Sequence, residues 1–158
     1  MHKVDVVRLG DALRARKETV ALAESCTGGL IAAALTDVAG SSDWFGWGFV
    51  SYANAAKQAM LGVRADTLAA FGAVSRETVL EMAGGARSRA SADWAVAVSG
   101  IAGPGGGSPG KPVGTVWIAV AGPDGVAAEC HLFAGDRAAV RAQTVEAALA
   151  LLAARLGL

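Results

Sequence analysis

Histidine, cysteine and tyrosine are almost missing from this chain, which holds two, two and one of them in 158 residues. Cys26 and Cys130 are too few for a disulfide framework, and with His2 and His131 they yield no zinc-ligand spacing. Soft-ligand metal catalysis is thereby excluded, an oxygen-bound ion is left open, and no cofactor is expected. Charge of one sign is not in excess either, with 14 basic against 14 acidic residues. No global field gathers nucleic acid or an anionic membrane, so an anionic ligand needs a local site. Long hydrophobic runs are also lacking: the longest uncharged stretch, residues 94–110, is broken by glycines, Pro104 and Pro109 and falls short of a membrane span. No basic segment followed by an apolar run opens the chain, so no signal peptide is expected and the cytoplasm is the expected compartment.

Apolar material, by contrast, is plentiful. With 53% hydrophobic and 18% charged residues and a mean hydropathy of +0.42, the chain can bury a core, and one domain over residues 1–158 is expected. The apolar periodicity alternates between helix and strand, as in a layered α/β domain. Helices are expected over residues 4–17, 28–38, 54–61, 75–91 and 136–156, with Asn54, Ser75 and Asp136 as N-caps. Strands are expected over 19–24, 44–53, 94–99, 113–121 and 126–133, the last two joined by the turn Gly122-Pro123-Asp124-Gly125. The reading is a mixed sheet of about five strands with helices on both faces, a three-layer α/β/α sandwich. Phe45, Trp47 and Phe49 alternate on one side of the second strand, suiting the core first and a subunit interface second.

Chemistry enters at Glu24-Ser25-Cys26-Thr27-Gly28-Gly29, between the first strand and its helix. Helix N-termini at strand carboxyl ends offer free N–H groups, and Gly28 and Gly29 permit close approach of a ligand. The same six residues also suit a well-capped helix packed on the sheet. Ser25 needs a base to be a nucleophile, and Lys57 is the candidate among only four lysines against ten arginines. With Asn54 as N-cap it takes the third helical position, where the helix dipole and burial both disfavour an ammonium and push it toward a neutral, basic amine. Tyr52 is near enough in sequence to relay a proton. Singly, Lys57 also reads as a solvated lysine and Tyr52 as a strand-end aromatic.

A second candidate is the loop that opens with Ser99, Gly100, Ile101, Ala102 and Gly103, whose backbone N–H groups could meet a ligand. Gly105 to Lys111 matches the start of a phosphate-binding loop, but Pro112 replaces the required hydroxyl residue and a strand follows, so that motif is rejected. Residues 105–110 read as a connector. Arg137 and Arg141 lie one turn apart on the last helix and could hold a phosphate or form a solvated face.

Residues 23–29, 50–57, 72–75, 100–106 with 111–114, and 135–137 form five blocks in register. Their order and spacing resemble the C-terminal domain of the CinA (competence/damage-inducible) family from about Thr19 to Leu152. The resemblance implies hydrolysis of the carboxamide of nicotinamide mononucleotide, a small-molecule nucleotide substrate, to nicotinic acid mononucleotide and ammonia. It further implies a metal-independent serine nucleophile with a lysine and a tyrosine, on an α/β/α fold that forms homodimers; the matching positions are Ser25, Lys57 and Tyr52. Ser99 stands where many relatives carry Thr, and many have polar residues near Trp47. The N-terminal domain of longer members has no counterpart here, and its pyrophosphatase activity is not carried over.

On that reading the N–H groups of Cys26, Thr27 and Gly28 form an oxyanion hole, and Arg137 with the N–H groups of Ser99 to Gly103 holds the phosphate. Two rivals stand beside it. Cys26 is the better intrinsic nucleophile but has no histidine to pair with, and the fold could also serve as a non-catalytic nucleotide-sensing or partner-binding module.

Overall fold

A computed structural model describes residues 3–158. In chain order the elements are α1 (Val6–Arg16), β1 (Val20–Glu24), α2 (Leu30–Thr36), a 3-10 turn (Ser41–Asp43), β2 (Phe45–Val50), α3 (Asn54–Leu61), α4 (Ala65–Phe71), α5 (Arg76–Ala90), β3 (Trp94–Gly100), β4 (Thr115–Gly122), β5 (Gly125–Leu132) and α6 (Arg137–Arg155). The five strands form one sheet in the order β2-β1-β3-β4-β5. β1 runs parallel to both β2 and β3, while β3, β4 and β5 are joined antiparallel. The expected mixed sheet with helices on both faces is the fold observed.

Side-chain size sorts the two faces. Val20, Leu22, Val96, Val98 and Ile118 point into a core with α1, α2 and α6. Their strand neighbours Ala21, Ala23, Ala95, Ala97, Ala119 and Ala121 point the other way, toward α5 and Leu61 of α3. Alternation of period two on a pleated sheet places each set on its own face. A face of alanines lets α5 settle close to the strands, and α5 in turn meets α3 so closely that a Cβ on Gly85 would collide with the Leu61 carbonyl.

Capping residues set three of the six helix starts: Asp5 accepts from Val7 N and Arg8 N, Ser75 from Thr78 N, and Asp136 from Ala139 N. The expectation for Asn54 is corrected. Ala53 occupies the N-cap without a side-chain bond, and Asn54 is the first helical residue. α4 was not expected, because seven residues between Gly62 and Gly72 with no side-chain cap carry little periodicity.

β2 also departs from expectation. Its register against β1 slips, pairing Val20 with Phe45 but Ala21 with Trp47, so Gly46 is the extra residue of a bulge. Phe45 therefore packs with the α1, α2 and α6 core and Phe49 with the α5 core, rather than both lying on one side. Trp47 stacks on Phe49 with ring centroids 6.1 Å apart and stays 56% exposed.

The path of the chain leaves a crevice at the carboxyl ends of the parallel strands. From β1 it passes through α2 to β2 on one side, then through α3, α4 and α5 to β3 on the other. Open α/β sheets bind ligands where the connections diverge in this way.

Gly85→Ala should destabilise the protein by about 1–3 kcal/mol through overpacking. Gly84→Ala, with nothing within 4 Å of its added methyl, should be neutral or stabilise by up to about 1 kcal/mol. Urea unfolding of the two variants reads the difference.

Candidate active site

β1 is apolar until its last residue, Glu24, which is buried to 1% exposure. Its carboxylate lies at the start of α2. Oε1 accepts from Thr27 Oγ1 at 2.6 Å, Gly29 N at 3.2 Å and Ile31 N at 2.9 Å, and Oε2 accepts from Ala32 N at 3.0 Å. An acid on the unpaired N–H groups of a helix start is stabilised both by those bonds and by the helix dipole. The turn between strand and helix uses two left-handed glycines, Gly28 at φ 57° and Gly29 at φ 107°. Of the residues expected to bind a ligand here, Gly29 has its N–H bonded to Glu24, Gly28 and Gly29 shape the turn, and Cys26 lines the cavity.

The turn delivers Ser25 to the crevice, where Lys57 of α3 meets it. Lys57 Nζ lies 3.0 Å from Ser25 Oγ, 2.9 Å from the Ser51 carbonyl and 3.0 Å from the Tyr52 carbonyl. It is 1% exposed and joins no ion pair among the described residues. Burial pushes its pKa below the ordinary 10.5, against a smaller opposing influence from neighbouring Cys26. The cause differs in part from the sequence reading: Lys57 is the fourth helical residue, and desolvation is the main effect. As an ammonium it donates to all three oxygens. As a neutral amine it donates two hydrogens to the carbonyls, and its lone pair is left facing the Ser25 hydroxyl.

Tyr52 is positioned differently from its neighbours. Its carbonyl holds Lys57, whereas its hydroxyl accepts from Arg137 Nη2 at 3.1 Å, and the ring is 59% exposed. Arg137 Nη1 also donates to the Gly103 carbonyl at 2.9 Å, which ties the start of α6 to the loop after β3. Arg141 does not reach for a ligand: Nε donates to the Cys26 carbonyl at 3.1 Å and Nη2 to the Thr27 carbonyl at 3.2 Å.

A cavity of about 270 Å³ unites these groups. It is lined by Ser25, Cys26, Tyr52, Lys57 and Arg137 and by the whole stretch from Ser99 to Gly103. Ser99 is buried beside it. Cys26 is buried as well, and desolvation raises its thiol to about 11, away from the thiolate needed for attack. No three His, Cys, Asp or Glu side chains among the described residues could hold a metal. His131 pairs with Glu129 at 2.8 Å on β5, away from the cavity lining, and His2 lies outside the described residues.

Sequence reasoning missed several parts of the site. Asn54, Ala73, Val74, Gly105 and Gly106 also line the cavity. The wall at Ala73 and Val74 is fixed from both ends, since Ser75 Oγ and Thr78 Oγ1 donate to the Gly72 carbonyl and Lys111 Nζ donates to the Phe71 carbonyl at 2.6 Å. Glu24 was visible as a lone acid ending an apolar strand, a signal of a buried and partnered charge.

The family model of the CinA C-terminal domain matches residues 5–156. A nicotinamide-nucleotide amidohydrolase PncC of Enterobacter agglomerans is 58% identical over 144 residues, covering 90% of this chain and 87% of its own. The protein of that name from Escherichia coli (strain K12) is 57% identical over 145 residues, with the same coverage. Among solved structures, the competence/damage inducible protein CihA of Agrobacterium tumefaciens is 49% identical with a TM-score of 0.93, covering 97% of this chain and 93% of its own.

Glu24→Gln would leave one amide oxygen to accept and turn an NH2 toward backbone N–H donors. Charged hydrogen bonds of this kind contribute about 1.5–3 kcal/mol each, so the variant should lose at least about 2 kcal/mol in urea unfolding. Unchanged stability would show that the carboxylate does not hold the helix start.

Proposed function

The chain belongs to the CinA C-terminal domain family, and from that premise we propose that it hydrolyses the carboxamide of nicotinamide mononucleotide to nicotinic acid mononucleotide and ammonia. Its whole length acts as one metal-independent amidase domain, in the cytoplasm and as a homodimer. Relatives at 57–58% identity carry the name nicotinamide-nucleotide amidohydrolase. The observation that carries the reading is the 3.0 Å approach of a buried lysine amine to a serine hydroxyl in the same cavity.

Catalysis begins when neutral Lys57 takes the Ser25 proton as Oγ bonds to the carboxamide carbon. The oxyanion faces the backbone N–H groups of Cys26 and Thr27. Gly28 N is excluded from that task because it donates to the Ser25 carbonyl at 3.0 Å. Collapse breaks the carbon–nitrogen bond while the proton passes from Lys57 to the departing amine, with Tyr52 positioning or relaying it. Water then attacks the ester on Ser25 as Lys57 accepts its proton; collapse breaks the ester bond while Lys57 returns that proton to Ser25 Oγ, and the acid product leaves and ionises to its carboxylate.

The phosphate is held apart from the reacting centre. Arg137 keeps donors beyond its two protein bonds, and Ser99 to Gly103 line the same cavity, where the Ile101 N–H is already held by the Thr115 carbonyl. Gly28 and Gly29 support the site by shaping the nucleophile turn rather than by touching substrate.

Ser25→Ala should lower ammonia release from nicotinamide mononucleotide by about 10³-fold or more. Lys57→Arg, which cannot become a neutral base, should lower it by about 10²–10⁴-fold. Near-full turnover in either variant overturns the assignment, and a wild-type protein that binds the nucleotide without releasing ammonia would favour a sensing role.

The pH profile provides a further check. The amine is active only when deprotonated, and its fraction in that form rises with pH. Because burial lowers the Lys57 pKa, kcat/KM should rise with pH to a plateau whose midpoint lies below 10.5. A midpoint at or above that value would contradict a desolvated base.

A further inference from the structure

Arg141 directs a guanidinium, unpaired with any carboxylate among the described residues, at two successive peptide carbonyls directly after Ser25. We propose that Arg141 is a positioning residue that aligns and strengthens the oxyanion-binding N–H groups of Cys26 and Thr27. The inference deepens the amidase reading and rests on it for the identity of the substrate.

The only cis bond among the described residues is Gly103–Pro104, so each peptide from Ser25 to Gly28 is trans, with its C=O and N–H pointing in opposite directions. Holding the Cys26 carbonyl on Arg141 Nε turns the Thr27 N–H the other way. Holding the Thr27 carbonyl on Nη2, together with the Leu30 N–H, fixes the Gly28 N–H, which donates to the Ser25 carbonyl. That bond in turn fixes the Cys26 N–H, on a residue that lines the cavity. Arg141 thus holds two of three linked peptides and leaves the N–H groups of Cys26 and Thr27 outside these bonds. Hydrogen bonding polarises each peptide in such a chain and makes the next N–H a stronger donor.

The placement of charge around the turn agrees with this role. Glu24 takes N–H groups of α2, downstream of the nucleophile, while Arg141 takes carbonyls of the turn itself. Neither occupies the N–H groups of Cys26 or Thr27. Gly28 tolerates the approach, since a Cβ there would lie 3.6 Å from Arg141 Nη2. Arg137, one turn earlier on the same helix, reaches Tyr52 and Gly103 instead, so the two arginines divide between substrate and nucleophile turn.

The test compares Arg141→Met and Arg141→Lys with the wild type on two acyl donors. Nicotinamide mononucleotide reports through ammonia. The phosphate-free ester 4-nitrophenyl acetate reports Ser25 acylation through nitrophenolate. Loss of a well-placed oxyanion donor lowers kcat by about 10²–10³-fold; the Met variant should fall about 10²-fold on both donors with KM unchanged. The Lys variant, a point charge for one carbonyl, should fall between it and the wild type, and methylguanidinium should partly restore Arg141→Ala. A raised KM for the nucleotide with kcat and ester acylation intact would instead make Arg141 a phosphate ligand and overturn the proposal. If the Met variant does not fold, the Lys variant decides: wild-type kcat on both donors overturns it. Wild-type protein that is acylated by the ester but releases no ammonia from the nucleotide refutes the amidase reading, and the acylation rates still decide the role of Arg141.

Discussion

A lysine amine sealed from water, with no carboxylate to pair with, is the constraint on which this site depends. An ammonium in that position must be held by neutral oxygens alone, and Lys57 has three of them: the carbonyls of Ser51 and Tyr52 and the hydroxyl of Ser25. Desolvation disfavours the charge, with only a smaller opposing influence from Cys26. The net lowering leaves an amine that can exist in both forms, which proton transfer in both directions requires. A carboxylate beside it would fix the charge. The buried acid of the same strand end, Glu24, is instead directed toward the donors of α2.

The fold satisfies that constraint through strand order. β1 contributes Ser25, the segment after β2 contributes the two carbonyls, and α3 contributes the amine, while β3 closes the far wall with Ser99. These segments meet because β1 lies between β2 and β3 and all three end at one edge. The alanine face then sets the depth of the site. With small residues at 21, 23, 95 and 97, α5 and the adjoining α3 pack near the sheet, and the Lys57 stem spans the remaining distance to β1.

Local chemistry made much of this legible in the sequence. Ser25 stood on a strand–turn–helix unit, Lys57 was conspicuous among few lysines, and Ser75 and Asp136 carried cap signals that the structure repeats. The elements that escaped depend on distant partners. The slip at Gly46 reverses Trp47 and Phe49 relative to Phe45, and no pattern of period two can reveal an inserted residue. α4 is too short to show a face. The role of Arg141 was hidden because an arginine pair on one helix face suggests a shared ligand, whereas the carbonyls it binds lie more than a hundred residues away in the chain.

The occupied start of α2 constrains how a nucleotide can lie in the cavity. A phosphate at that helix terminus would have to displace a carboxylate already bonded to Gly29 N, Ile31 N, Ala32 N and the Thr27 hydroxyl. Exchanging one anion for another there gains little and strands a buried acid, which is strongly unfavourable. On the proposed reading the phosphate is directed instead to the side of the cavity where Arg137 bridges Tyr52 and Gly103. Such a placement leaves Ser25 and Lys57 to the amide end of the molecule. It would also couple recognition to chemistry, because the arginine proposed to meet the phosphate holds the hydroxyl of the tyrosine whose backbone carbonyl seats Lys57.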